Sequence, residues 1–168
     1  MGVLARAASV GTAQTIVVPT EANSLLVDNP LVESQPDDMQ TILLVEDSKF
    51  LRIATERALT KAGYHVVIAI DGEEAVREAT AKIPDLVILD MLLPKLSGPE
   101  VLHKLKANLA TAHIPVLVLS SLSQKNEDKL IEEGAAAFLE KGPLLENPSL
   151  LLKAIKTALT KKAAAPQS

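Results

Sequence analysis

The chain contains no cysteine, and only 2% of its 168 residues are aromatic. The first absence excludes disulfides, thiol catalysis and cysteine-ligated metal sites. The second predicts a core built from aliphatic side chains. The three histidines, His65, His103 and His113, are scattered and do not have the spacing of a zinc site.

Long apolar runs and excess positive charge are lacking as well. No run approaches the ~20 apolar residues that span a membrane, so we expect no membrane association. The formal net charge of −4 argues against nucleic acid or an anionic membrane as a direct partner. A secretory signal is not indicated, because residues 1–20 lack a clear apolar core. We therefore expect a cytoplasmic protein with one domain and some additional length.

Residues 1–38 differ from the rest of the chain. They contain three prolines, no aromatic residue, and one basic against five acidic side chains. We predict a disordered N-terminal extension here, a compact domain over residues 39–162, and a frayed tail over residues 163–168. Two alternatives stay open for the extension. It could be a transit peptide, since no acid precedes Glu21, or Met39 could be the true start of the chain.

From residue 41 onward, apolar runs alternate with segments of helical spacing. The third run, Leu86 to Leu89, is continuously apolar and ends in Asp90, which is typical of a strand buried on both faces. The alternation predicts a doubly wound, parallel α/β sheet of five strands and five helices. The predicted strands are 41–45, 65–69, 86–90, 115–119 and 136–139. The predicted helices are 49–62, 73–81, 99–107, 124–133 and 149–159.

Polar side chains stand at the carboxyl ends of four of these strands. Glu46 and Asp47 follow the first strand, Asp90 ends the third, Ser120 follows the fourth, and Lys141 comes after the fifth. The carboxyl ends of parallel strands lie on the same edge of a sheet, where ligands bind in such folds. We therefore expect these five side chains to form one site. Taken alone, Asp90 could be a helix cap or turn residue, Glu46 and Asp47 could cap the first helix, and Lys141 could be a solvated surface lysine.

Three crowded carboxylates repel one another unless a cation joins them. A site made of oxygen ligands suits Mg²⁺. With that charge compensated, Asp90 can act as a nucleophile toward phosphorus and form an acyl phosphate. Lys141 and Ser120 can then contact the phosphoryl oxygens.

Residues 41–160 resemble the receiver domain of two-component response regulators, the chemotaxis-regulator-like fold. The resemblance implies a flavodoxin-like sheet with strand order 2-1-3-4-5. It rests on four motifs: LLVEDS at 43–48, DLVILDMLLPKLSG at 85–98, PVLVLSS at 115–121 and AFLEK at 137–141.

The resemblance also implies roles for individual residues. Asp90 would accept a phosphoryl group from a phosphohistidine on a sensor histidine kinase or a histidine phosphotransfer protein. Asp47 and Asp90 would ligate Mg²⁺ together with the backbone carbonyl of Leu92, and Glu46 would help through water. Ser120 and Lys141 would bind the phosphate.

Phe138 falls where the family has an aromatic switch residue, although a plain core position is an equal alternative. A downstream protein effector is the expected partner. Only nine residues follow Leu159, so we expect a stand-alone switch or an intermediate carrier in a phosphorelay. A phosphorylation-dependent dimer through the last two helices is a further option.

Two alternatives compete with the phosphorylation switch. One is a pseudo-receiver, an interaction module that works without phosphorylation, and the intact site residues argue against it. The other is a metal-dependent phosphatase of similar topology. That enzyme would need a second carboxylate at the position of Leu92, and the leucine there argues against it.

The sequence departs from the family pattern after the lysine. The family usually has proline directly there, whereas Gly142 comes first and Pro143 second, which predicts a differently shaped loop. Ser121 replaces the usual alanine after the hydroxyl residue. The positions two beyond Asp90 and Ser120 are Leu92 and Leu122, which cannot orient water. We therefore predict slow self-dephosphorylation.

Overall fold

A computed structural model of the protein describes residues 39–121 and 127–165. Five strands form one sheet in the order β2-β1-β3-β4-β5, and every neighbouring pair is parallel. The predicted fold class and strand order are therefore confirmed. The strands are β1 Thr41–Val45, β2 His65–Ala69, β3 Leu86–Asp90, β4 Val116–Ser120 and β5 Ala137–Glu140.

The described residues form six helices, whereas the sequence predicted five. The additional helix directly follows β5 and includes Gly142 and Pro143 in its first turn. Proline is tolerated there, because the first backbone N–H groups of a helix have no intrahelical partner. The helices are α1 Lys49–Lys61, α2 Gly72–Lys82, α3 Gly98–Ala107, α4 Glu127–Glu132, α5 Lys141–Glu146 and α6 Ser149–Ala164.

Helices cover both faces of the sheet, which explains why the central strands are apolar at successive positions. Side chains alternate between the two faces along each strand. One face packs against α2 and α3 through Leu43, Val45, Val87, Leu89, Ala75, Ala79, Val101, Leu102 and Leu105. The other face packs against α1 and α6 through Ile42, Leu44, Leu86, Ile88, Leu59, Leu151, Ile155 and Leu159.

The ends of the helices show why they begin and end where they do. Ser48 caps α1 by accepting a hydrogen bond from the Leu51 N–H, and Gly63 adopts φ +91° just beyond its last turn. Both were expected. At α6, the Asn147 side chain rather than Ser149 accepts the first free N–H. That helix continues to Ala164, so it includes the first two residues of the predicted frayed tail.

Some predictions fall outside the described residues. They are the extension 1–38, the first residues of the predicted fourth helix, Leu122, and the last three residues of the tail. None of the helices within the described ranges has both the length and the apolar character needed to cross a bilayer.

Candidate functional site

The fold brings the predicted polar residues together at one edge of the sheet. Glu46 and Asp47 follow β1, Asp90 is the last residue of β3, and Ser120 is the last residue of β4. Lys141 opens α5 immediately after β5. Glu46, Asp90 and Ser120 are buried, and Asp47 is exposed. The edge thus combines buried charge with access to solvent.

Lys141 lies between two buried carboxylates. Its Nζ is 2.8 Å from Glu46 Oε2 and 2.8 Å from Asp90 Oδ2. None of the three side chains is more than 11% exposed. Charge-assisted hydrogen bonds of this length are strong when water is excluded. The lysine therefore joins the loop after β1 to the end of β3.

The remaining carboxylate oxygens are held by the backbone. Glu46 Oε1 accepts the N–H of Ser48 at 3.1 Å, and Asp90 Oδ1 accepts the N–H of Leu92 at 3.2 Å. Each carboxylate is therefore fixed on both sides, by Lys141 and by the loop that follows its strand. Since Ser48 caps α1, neither Glu46 nor Asp47 is needed for that purpose.

Negative charge exceeds positive charge at this edge. One carboxylate oxygen each from Glu46, Asp47 and Asp90 lie within 4.8 Å of one another. Among the residues that the structure describes, Lys141 is the only one that makes an ion pair with these carboxylates. Three hard oxygen donors that share a net negative charge fit Mg²⁺, which binds through one or two carboxylates and keeps several waters.

The environment shifts the pKa values of the buried pair. Burial raises the pKa of Glu46, and the Asp90 carboxylate raises it further, although Lys141 opposes both effects. Burial by itself would lower the pKa of Lys141, but its hydrogen bonds to Asp90 and Glu46 outweigh that effect and raise it. The lysine is therefore held as an ammonium group.

Arg52 also contacts this site, although no prediction from the sequence included it. Arg52 Nη1 donates to the carbonyl of Glu46 at 3.2 Å and to that of Asp47 at 3.1 Å. The guanidinium thus holds the backbone of the loop that carries both acids. A basic residue in the first turn of the helix after an acidic pair is the sequence signal that could have indicated it.

The other predicted site residues lie around this cluster. Leu92 is 62% exposed and directly follows the turn after Asp90. Phe138 is half-buried in β5, pairs with Val118, and packs against the core beneath α2 and α3. That placement fits both a core role and a switch role. Beside Glu46 and Lys141, an apolar pocket lies between α1 and α5.

Comparison with known proteins shows which protein family the chain resembles. A model of the response regulator receiver domain family matches residues 42–156. The chain is 41% identical over 117 residues to a gliding motility regulatory protein of Myxococcus xanthus, a match that covers 68% of this chain and 15% of that protein. The chain spans less than half the length of such relatives.

Solved structures agree with the sequence match. A putative response regulator from Chloroflexus aurantiacus superposes with a TM-score of 0.68 at 30% identity, over 73% of this chain and 99% of that one. The receiver domain of a Pseudomonas aeruginosa sensor histidine kinase superposes with a TM-score of 0.66 at 25% identity, over 73% and 98%. That second structure holds a magnesium ion coordinated in its active site cleft.

Proposed function

Since this chain belongs to the response regulator receiver domain family, which acts in two-component signalling, we propose that Asp90 is its phosphoacceptor. The phosphoryl group would come from a phosphohistidine on a sensor histidine kinase or a histidine phosphotransfer protein. The observation that carries the proposal is the buried cluster in which Lys141 bridges Glu46 and Asp90. Receiver domains of this kind are signalling domains rather than classical enzymes.

The transfer uses the Asp90 carboxylate as the nucleophile. One of its oxygens forms a bond to phosphorus, the P–N bond to the histidine breaks, and the imidazole leaves with the electron pair. The product is an acyl phosphate on Asp90. Lys141 already contacts Asp90 Oδ2. Its ammonium group can therefore pair with an oxygen of a phosphoryl group that is attached to this carboxylate. Ser120 would donate a hydrogen bond to another.

Glu46, Asp47 and Asp90, with the backbone carbonyl of Leu92, would hold Mg²⁺, Glu46 acting through water. When bound, the ion supplies positive charge to the phosphoryl oxygens. The three carboxylate donors and their net negative charge support this assignment.

Phosphorylation would switch a protein contact surface for a downstream effector. Movement of Ser120 toward the phosphate would let Phe138, which is half-buried in the neighbouring strand, turn inward. A phosphorylation-dependent dimer is another possible output of the same change. The alternative function is a pseudo-receiver that binds its partner without phosphorylation.

The test is intact-mass measurement after incubation with a small phosphodonor and Mg²⁺. We expect a labile, phosphoryl-sized gain in the wild type and none in Asp90→Asn. Asp85→Asn is the matched control, because Asp85 directly precedes the first residue of the same strand, and it should behave as the wild type. A gain that persists in Asp90→Asn would refute the assignment. Absence of any gain, both with the phosphodonor and with a phosphorylated phosphotransfer protein, would favour the pseudo-receiver.

We also propose that the acyl phosphate is long-lived. Leu92 is exposed beside Asp90 and its side chain cannot orient an attacking water, and Leu122, outside the described residues, has the same apolar character. Replacing both by asparagine should accelerate loss of the phosphate, measured by intact mass over time. Unchanged decay in the double variant would contradict this.

A further inference from the structure

The loop between β3 and α3, residues 91–97, is closed at its base. The N–H of Gly98 donates to the carbonyl of Met91 at 3.1 Å. A Cβ on Gly98 would lie 2.5 Å from the carbonyl oxygen of Asp90, so only glycine allows this approach. The two ends of the loop are thus fixed against Asp90. Leu92, whose carbonyl the family resemblance assigns to Mg²⁺, lies between them.

The far side of this loop contacts the turn between β2 and α2. The N–H of Gly72 donates to the carbonyl of Pro94 at 3.2 Å. A Cβ on Gly72 would lie 2.1 Å from the carbonyl oxygen of Leu96. The two backbones are therefore in direct contact, and the glycine is required for that contact rather than for an unusual φ angle.

One ion pair spans the same junction. Lys95 Nζ lies 2.7 Å from Asp71 Oδ2, and the Asp71 side chain is only 10% exposed. The other Asp71 oxygen accepts the N–H of Glu74 at 2.8 Å and so caps α2. Asp71 is thus anchored to α2 and presents its second oxygen to the loop. Lys95 also lies 3.9 Å from Glu73.

Lys95 adopts a backbone conformation that side chains disfavour. Its φ is +67°, in the left-handed region, where a residue other than glycine persists only if its surroundings hold it. Asparagine or glycine would fit the backbone better. Its ion pair with Asp71 accounts for a lysine here, since neither of those residues could make that contact.

We propose that Asp71 and Lys95 are positioning residues for Mg²⁺ binding. Their ion pair holds the β3–α3 loop against the β2–α2 turn, so that the Leu92 carbonyl is presented to the acidic cluster. This proposal rests on the proposed metal site. It adds to that site two residues outside the acidic cluster, Asp71 in the β2–α2 turn and Lys95 in the β3–α3 loop. Since the lysine is more than half exposed, the pair contributes little to global stability. Its effect should appear in metal affinity.

The experiment measures the Mg²⁺ dissociation constant by titration of backbone amide signals, without any phosphodonor. We expect Lys95→Met to bind Mg²⁺ about 10-fold more weakly, as is typical when a group that orients a metal ligand is lost. Lys95→Arg should restore most of the affinity. The matched control is Lys129→Met, which removes an exposed lysine of α4 that pairs with Glu133, and it should bind as the wild type does.

Lys95→Gly separates positioning from strain. It removes the ion pair but relieves the left-handed backbone, so its metal-free Tm should equal or exceed that of the wild type while its Mg²⁺ affinity falls as in Lys95→Met. A merely structural role would leave the affinity of Lys95→Gly unchanged.

Wild-type affinity in Lys95→Met, or equal losses in Lys95→Met and Lys95→Arg, would overturn the proposal. Absence of Mg²⁺ binding by the wild type would refute it together with the metal site. Failure of phosphorylation with Mg²⁺ bound would count against the phosphoacceptor role alone.

Discussion

Each end of β3 carries an aspartate that contacts a lysine, but the two ends differ in charge balance. Asp85, just before the strand, accepts the N–H of Thr41 at 2.9 Å and lies 3.6 Å from Lys162 Nζ. Asp90, at the other end, lies 2.8 Å from Lys141. At the first end, one carboxylate faces one lysine, and the two side chains are 42% and 29% exposed. At the second end, three carboxylates face one lysine, and the bridged groups are buried.

The difference separates a balanced, partly exposed ion pair from a buried cluster with excess negative charge. The Asp85 end joins the sheet to the last helix with balanced charge and contact with water. At the Asp90 end, folding does not need the added carboxylates, because both repel Asp90 and the buried one, Glu46, also carries a cost of burial. An excess of buried negative charge that folding does not need indicates a site for a cation.

The largest expected effect is that of removing Lys141. In metal-free Lys141→Met, Glu46 and Asp90 are left buried without a cationic partner, so the free energy of unfolding should fall by about 3 kcal/mol. Urea unfolding measures it, and added Mg²⁺ should restore part of the loss. An equal loss in Lys162→Met would show that the two ends of β3 are energetically alike.

The second effect is stabilisation by Mg²⁺ itself. At a concentration 100 times its dissociation constant, Mg²⁺ should raise the free energy of unfolding of the wild type by about 2.7 kcal/mol. Asp85→Asn should show the same increase, and Asp90→Asn should show a much smaller one. Thermal unfolding with and without a chelator measures the difference. A similar response in both variants would mean that the ion does not bind at the Asp90 end.

A third effect concerns Asp71, an acid that follows β2 and whose charge is balanced by Lys95. The Glu74 N–H and the Lys95 ammonium group lower its pKa, so the folded state binds its proton less tightly than the unfolded chain. Its stabilising contribution is therefore present above the ordinary aspartate pKa of about 4 and is lost as the pH falls below it. In Asp71→Asn, which keeps a good helix cap, the decline of stability between about pH 5 and pH 2 should be shallower. Parallel pH profiles would contradict the lowered pKa of Asp71.

The smallest effect should come from the exposed pair at the other end. Lys162→Met should lower the free energy of unfolding by less than about 1 kcal/mol, and roughly 1 M salt should remove most of that difference. Urea unfolding at low and high salt tests this. A loss that does not depend on salt would mean that the Lys162 stem contributes through packing.

Several elements could be predicted from local sequence, and others could not. The bounds of β1, β2 and β3 agree with the predicted segments, because continuous apolar runs leave few alternatives when both faces of a sheet are covered. The helix α5 was missed because six residues with an early glycine and proline carry no periodicity. Phe50 has the helical spacing of the apolar positions of α1, yet it is 75% exposed.

The sequence by itself determined which chemical groups reach the edge of the sheet. The polar residues at the carboxyl ends of β1, β3 and β4 and after β5 needed only the alternation of strands and helices to be placed together, since parallel strands end on one side. Tertiary structure alone decided which of these groups touch, and how the loops that carry them are held. Contacts such as Lys141 with Glu46 and Lys95 with Asp71 depend on the mutual position of loops from different strands. No local periodicity encodes that position.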